Sequence, residues 1–205
     1  MISLLCPTRK RQAHASAMGE SAYKTASGEI EILFYVDDDD SPPLLTSEYV
    51  SEPYIYLGKR EGVGKAWNKL AEVSQGSILF LCNDDLRFDS YGWDADVTDA
   101  MDDCLVYCND GLKYESHAAF PFIPRDWYEK LGYFVPEHFG FFYHDTWLFD
   151  LANRVGKVKY LEDTHITHWH NMSDDTAREA RQRAGKDPQI WIDTEPQRIE
   201  DAKKL

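Results

Sequence analysis

The stretch SILFLCNDDLRFD, residues 77–89, constrains this chain most, because an apolar run over 78–82 stops abruptly at Asn83, Asp84 and Asp85. A short apolar run bounded by Gly76 and an acidic pair has the length and pattern of a strand buried on both faces of a parallel sheet. The pattern recurs: residues 2–6 run into Pro7, Thr8 and Arg9, and residues 30–36 run into the aspartates at 37–40. Open α/β sheets bind ligands just beyond the carboxyl ends of their strands. Strands that each end in ligand-capable groups therefore predict one shared site, and an enzyme. Two carboxylates beside an amide suit a hard divalent cation, Mn²⁺ or Mg²⁺, that holds a substrate phosphate.

Strand and helix alternate as far as residue 109. Strands are expected at 2–6, 29–36, 54–57, 77–82 and 104–109, with helices at about 9–18, 62–74 and 94–101. The 62–74 segment carries Val63, Ala66, Trp67, Leu70, Ala71 and Val73 at helical spacing. Beyond 109 the alternation fails. A short helix is expected over 124–131, an aromatic loop broken by Pro136 and Gly140 over 133–143, a helix over 145–155 and a strand over 157–161. The charged tail reads as helical over 174–184 and 196–204. The whole describes an α/β fold, a mostly parallel central sheet flanked by helices, in one domain without internal repeat or linker.

Several segments have competing readings. Gly62, Gly64 and Lys65 suggest a phosphate loop, but Lys59 and Ala66 stand where a Walker A sequence needs Gly and Ser or Thr. Asp37, Asp39, Ser41 and Glu48 match calcium-loop spacing, but Pro42 occupies the position that requires Gly. An aspartate at a helix start, such as Asp145, is also an ordinary cap. In an extended segment His168 and His170 share a face and can aim at one point. The aromatic residues Trp93, Phe120, Tyr133, Phe141, Phe142 and Tyr143 lie in or near irregular segments, and the sequence does not rank them as acceptor contacts.

Taken in order, ISLLCPTRKR, EILFYVDDDDS and EGVGKAWNKLAEVSQGSILFLCNDD resemble the N-terminal half of a family 2-like glycosyltransferase with the GT-A fold. HDTWLFDLANRVGK resembles that family's acidic motif at the head of a helix, and THITHWH its late histidine. Cys82 departs from the pattern, standing where many relatives carry the first acidic residue. The resemblance implies a domain over 1–172, with a nucleotide-sugar half at 1–109 and an acceptor half at 110–172, followed by an extension at 173–205. It implies that Asp37 accepts a hydrogen bond from the donor base, and that Pro7, Thr8, Arg9, Lys65, Asn83 and Asp84 lie around the nucleotide sugar. Metal ligands would be Asp84, Asp85 and His168, with His170 as second choice, and Asp145 would be the general base of an inverting transfer. Alternatives are a sugar-phosphate nucleotidyltransferase and an inactive domain that binds a nucleotide or a partner.

The net charge of −14 disfavours a broad duplex nucleic-acid footprint. Local cations at 9–11, 59–60 with 65, and 178–183 fit a smaller anion, a UDP- or GDP-sugar. The acceptor is expected to be a glycan or small molecule, with a modified nucleobase as another possibility. No run approaches the ~18 apolar residues of a membrane span. Cys6, Cys82, Cys104 and Cys108 lack paired spacing and are expected to be reduced and buried, in a cytoplasmic protein. The acceptor sequence Asn171-Met172-Ser173 is read as chance.

Overall fold

The computed structural model describes residues 1–43, 53–169 and 175–205. In chain order the elements are β1 (Ile2–Thr8), α1 (Gln12–Thr25), β2 (Ile30–Asp37), β3 (Tyr54–Gly58), α2 (Val63–Val73), β4 (Ile78–Leu81), β5 (Leu86–Phe88) and α3 (Trp93–Ala100). They continue as β6 (Leu105–Asn109), β7 (Phe122–Pro124), α4 (Arg125–Leu131), α5 (His144–Val155), β8 (Val158–His168), α6 (Asp175–Arg183), α7 (Asp187–Asp193) and α8 (Glu195–Ala202). The strands form one sheet in the order β3-β2-β1-β4-β7-β6-β8-β5.

The four strands from β3 to β4 are parallel, as the apolar runs of β1, β2 and β4 predict, with β3 as the partly exposed edge strand. Beyond β4 the sheet is mixed: β7 is antiparallel to both β4 and β6, β8 is parallel to β6, and β5 is antiparallel to β8. Both β5 and β7 escaped the sequence reading, because three residues cannot display a period and long-range pairing alone defines them. Strand β8 also runs to His168 rather than stopping at 161. Its register against β6 shifts between Cys108 and Asn109, so Cys108 faces Leu161 while Asn109 faces His165. That irregularity breaks the alternation by which a strand is recognised.

Side chains alternate across β1. Ile2, Leu4 and Cys6 join Met18, Phe34, Phe80, Trp93 and Phe122 beneath α1 and α3. Leu5 points the other way, to Trp67, Leu70, Leu79, Trp127 and Leu148 beneath α2, α4 and α5. The outer face of α5, Trp147 and Leu151, packs against Trp191 and Ala202 of the tail. The buried Arg198 fastens this layer: its Nε lies 3.0 Å from Asp150 Oδ2 and its guanidinium 3.5 Å from the Trp191 ring centre. All four cysteines are free and buried. Among the described residues no helix is long and apolar enough to cross a membrane.

Candidate active site

A cavity of about 1040 Å³ opens where β1, β2 and β4 end, and its wall includes Pro7, Thr8, Arg9, Asp37, Asn83, Asp84 and Asp85. The ends of adjacent parallel strands meet here. Asp84, just past β4, accepts from Thr8 Oγ1 at 2.8 Å and from Arg11 Nη1 at 2.9 Å. Burial pushes its carboxyl up to about 6, against the pull of Arg11 and Thr8. The Arg11 guanidinium also reaches Asp85 Oδ2 at 3.3 Å, and so bridges the acidic pair.

Strand pairing brings His168 to the same turn. Leu86 of β5 is in register with His168 of β8, and the Trp169 amide donates to the Asp85 carbonyl at 2.8 Å. His168 Nε2 stands 3.4 Å from Asp85 Oδ1 without closing as a hydrogen bond. Burial raises the Asp85 carboxyl, but His168 and Arg11 outweigh it and hold the group below the ordinary carboxylate range. His170 lies outside the described residues.

Asp37 closes the β2 side. Arg9 Nη1 is 2.7 Å from its Oδ2 and Arg60 Nε is 3.8 Å away, yet burial still lifts the carboxyl above its usual range. Two of the neighbouring aspartates are tied down. Asp39 pairs with Arg9 at 2.5 Å, and Asp40 accepts from the Lys10 amide at 2.5 Å and from Gln12 Nε2 at 2.6 Å, tying the β2 turn to the β1 turn. Lys65 is not brought to the cavity. It stands half exposed, 3.9 Å from Glu61, because α2 turns Gly62, Val63, Ala66 and Trp67 towards the cavity and Lys65 away from it. Arg60, just before the helix, lines the wall instead and is ion-paired with Glu179 of α6.

The remaining wall is built by the start of α5. Asp145 lines the cavity, and its Oδ2 is 2.8 Å from Nε2 of His117, which sequence reasoning missed. His117 lies in the irregular connection between β6 and β7, where no periodicity marks a functional side chain. The adjacent His144 is buried, with Nδ1 3.1 Å from the Phe141 carbonyl and its ring edge-on to Trp67. Burial drives its pKa down to about 4. A Cβ on Gly64 would sit 2.8 Å from His144 Nε2, so the glycine lets α2 and α5 approach at the cavity floor. Of the other acidic residues in this half, Asp110 Oδ1 accepts three amides, those of Leu112, Lys113 and Tyr114, and Glu137 accepts from Asn68.

Whether a divalent cation suits these residues turns on one atom. Asp85 Oδ1 is buried without a hydrogen-bond partner, with the His168 imidazole beside it. A buried carboxylate oxygen left unsatisfied is costly, and a cation is the partner that would satisfy it. No group of three or more His, Cys, Asp or Glu converges among the described residues. A Mg²⁺-type ion needs no full protein cage, since it is commonly held by one or two carboxylates and substrate phosphates. Asp85 Oδ1 and the His168 imidazole fit such an ion, whereas Asp84 is engaged by Thr8 and Arg11.

No family model and no curated protein matches the sequence. Solved structures do match in three dimensions. A mannosyltransferase from Pyrobaculum calidifontis, in complex with GDP-Man and Mn²⁺, superposes with a TM-score of 0.68 at 14% identity, over 99% of this chain and 69% of that one. The chain has the GT-A fold. S. aureus TarS in complex with UDP-GlcNAc matches with a TM-score of 0.60 at 12% identity, over 87% of this chain and 64% of that one. Glucosyl-3-phosphoglycerate synthase from Mycobacterium tuberculosis, in complex with Mn²⁺, UDP-Glc and phosphoglyceric acid, gives 0.55 at 15%, over 89% and 76%. Within the GT-A sheet, the Asp84–Asp85 turn and Asp37 sit at the carboxyl ends of neighbouring parallel strands, where α/β sheets take ligands.

Proposed function

We propose that this GT-A chain is a glycosyltransferase that moves a sugar from a nucleotide-diphosphate-sugar donor, a UDP- or GDP-sugar, to an acceptor hydroxyl with inversion. The observation that carries this reading is the buried Asp85 Oδ1, which no hydrogen bond satisfies, beside His168 and in the same cavity as Asp145. The nucleotide sugars named in the complexes of its structural neighbours support the donor class.

Asp37, with Arg9 and Arg60 beside it, offers the donor's base a carboxylate acceptor within a fixed frame of cations. Asp85 and His168 would hold Mn²⁺ or Mg²⁺, which when bound neutralises charge developing on the leaving diphosphate. Asp145 takes the proton from the acceptor hydroxyl as its oxygen bonds to the anomeric carbon and the bond to the diphosphate oxygen breaks. His117, 2.8 Å from the Asp145 carboxylate, fixes that carboxylate's orientation.

Thermal-shift titration of UDP and GDP with and without Mn²⁺ tests the reading. Stabilisation is expected only when metal and nucleotide are both present, and Asp85→Ala should abolish it while the melting profile of the free protein stays cooperative. Equal stabilisation without Mn²⁺ in the unaltered protein would overturn the cation-dependent donor site.

A further inference from the structure

We propose that Phe141 and Phe142 form the platform for the acceptor, and that this acceptor is a carbohydrate ring. The proposal rests on the glycosyltransferase reading above and names the class of molecule that Asp145 deprotonates.

Of the aromatic residues in the irregular segments, most are committed elsewhere. Trp93 and Phe120 are buried in the core, Tyr133 donates to Asp201, and Tyr143 stacks on Trp191 with centroids 5.3 Å apart. Phe120 and Tyr143 also touch the cavity, but Phe141 and Phe142 differ in exposure, at 36% and 47%, and both line it. Their rings meet edge to face, 5.3 Å apart at 84°, which makes an apolar corner. Asp145 lines the same cavity as the corner.

The corner is held rigidly from outside the sheet. Asp187 is buried at the start of α7 and accepts the backbone amides of Gly140, Phe141 and Phe142 at 2.7, 2.9 and 2.9 Å. A Cβ on Gly140 would lie 2.3 Å from the Arg183 carbonyl, so only glycine lets the loop press against the tail. With these amides pinned, the backbone that carries the two rings is fixed. A preorganised aromatic surface of this kind lowers the ordering cost of binding.

The surroundings select the occupant. Apart from the arginines placed at the donor and the acidic pair, the cavity is lined by Asp110, Lys113, His117, Asp145 and Thr146, so the ligand must carry hydrogen-bonding groups as well as one flat apolar face. A sugar ring has both: a C–H face for the aromatic ring and hydroxyls for the polar wall. An alkyl chain would bury charged groups without partners. A nucleic-acid strand would meet a chain of net charge −14.

Saturation-transfer NMR with a panel of methyl glycosides (glucoside, galactoside, mannoside, xyloside and N-acetylglucosaminide) tests this, on the protein alone and saturated with UDP or GDP plus Mn²⁺. At least one glycoside should receive saturation at its ring C–H protons. Replacing both residues, Phe141→Ala with Phe142→Ala, should weaken that binding roughly tenfold, the scale of lost ring stacking. The Phe141→Leu and Phe142→Leu pair, which keeps apolar area but no flat face, should weaken it nearly as much. The idea is overturned if no glycoside in the panel binds in either condition, or if the alanine pair binds as well as the unaltered protein. Nucleotide thermal shifts on the same samples report the donor site separately. Loss of glycoside binding with intact nucleotide binding isolates a failure of this inference from a failure of the donor reading.

Discussion

His144 should make the fold sensitive to mild acid, because its imidazole is buried and kept neutral at the junction of α2 and α5. Its pKa in the folded chain is driven down to about 4 by burial, against the opposing pull of Asp145, the Phe141 carbonyl and Asp187. In the unfolded chain an imidazole titrates near 6.5. The unfolded state therefore binds the extra proton first as pH falls, so stability present above about pH 6.5 is lost progressively towards pH 4. From those two values the loss is about 2 kcal/mol at pH 5 and about 3 kcal/mol at pH 4. His144→Asn keeps an amide that can donate to the Phe141 carbonyl but does not titrate. Near pH 7 it should be the less stable protein by roughly 1–2 kcal/mol, because the ring that fills the space against Trp67 and Phe139 is gone. Urea melts of both proteins from about pH 7.5 to pH 4.5 should show this gap closing and then reversing as pH falls. Subtracting one protein from the other removes the carboxylates that titrate in both. Parallel stability curves over that range would refute a buried, neutral His144.

Two further predictions concern the chemistry. Asp145→Asn should keep Mn²⁺-dependent nucleotide stabilisation and lose donor hydrolysis or transfer by about 10²-fold, the scale of a missing general base; near-normal turnover would move the base elsewhere. His117→Ala should lower the same turnover by roughly tenfold or more through loss of its hydrogen bond to Asp145, with KM for the donor unchanged, and an equal loss of nucleotide binding would assign His117 to the donor site instead.

The sequence by itself determined the sheet that carries the site. Apolar runs ending at Pro7, Asp37 and Asn83 have the length and composition of parallel strands buried on both faces, and they do pair in parallel, Ile2 with Ile30 and with Ile78. The order of those turns was enough to suggest the GT-A fold, and the Asp84–Asp85 turn and Asp145 are all found on the cavity wall. Contacts between distant segments decided the rest. His117 meets Asp145 across 28 positions and Asp187 reaches Phe142 across 45, separations that no local period encodes. Lys65 shows the limit from the other side: its place beside Gly62 and Gly64 promised a phosphate contact, but which face of α2 turns inward is settled by packing Trp67 and Leu70 beneath the sheet. Composition marked the tail as charged and helical, yet Arg198 and Asp187 bury their charges against α5 and the aromatic loop. Local pattern fixes which residues a strand or helix will bury, because that depends on periodicity. Which distant side chains share a site depends on how the buried faces are stacked, and that is a property of the tertiary structure alone.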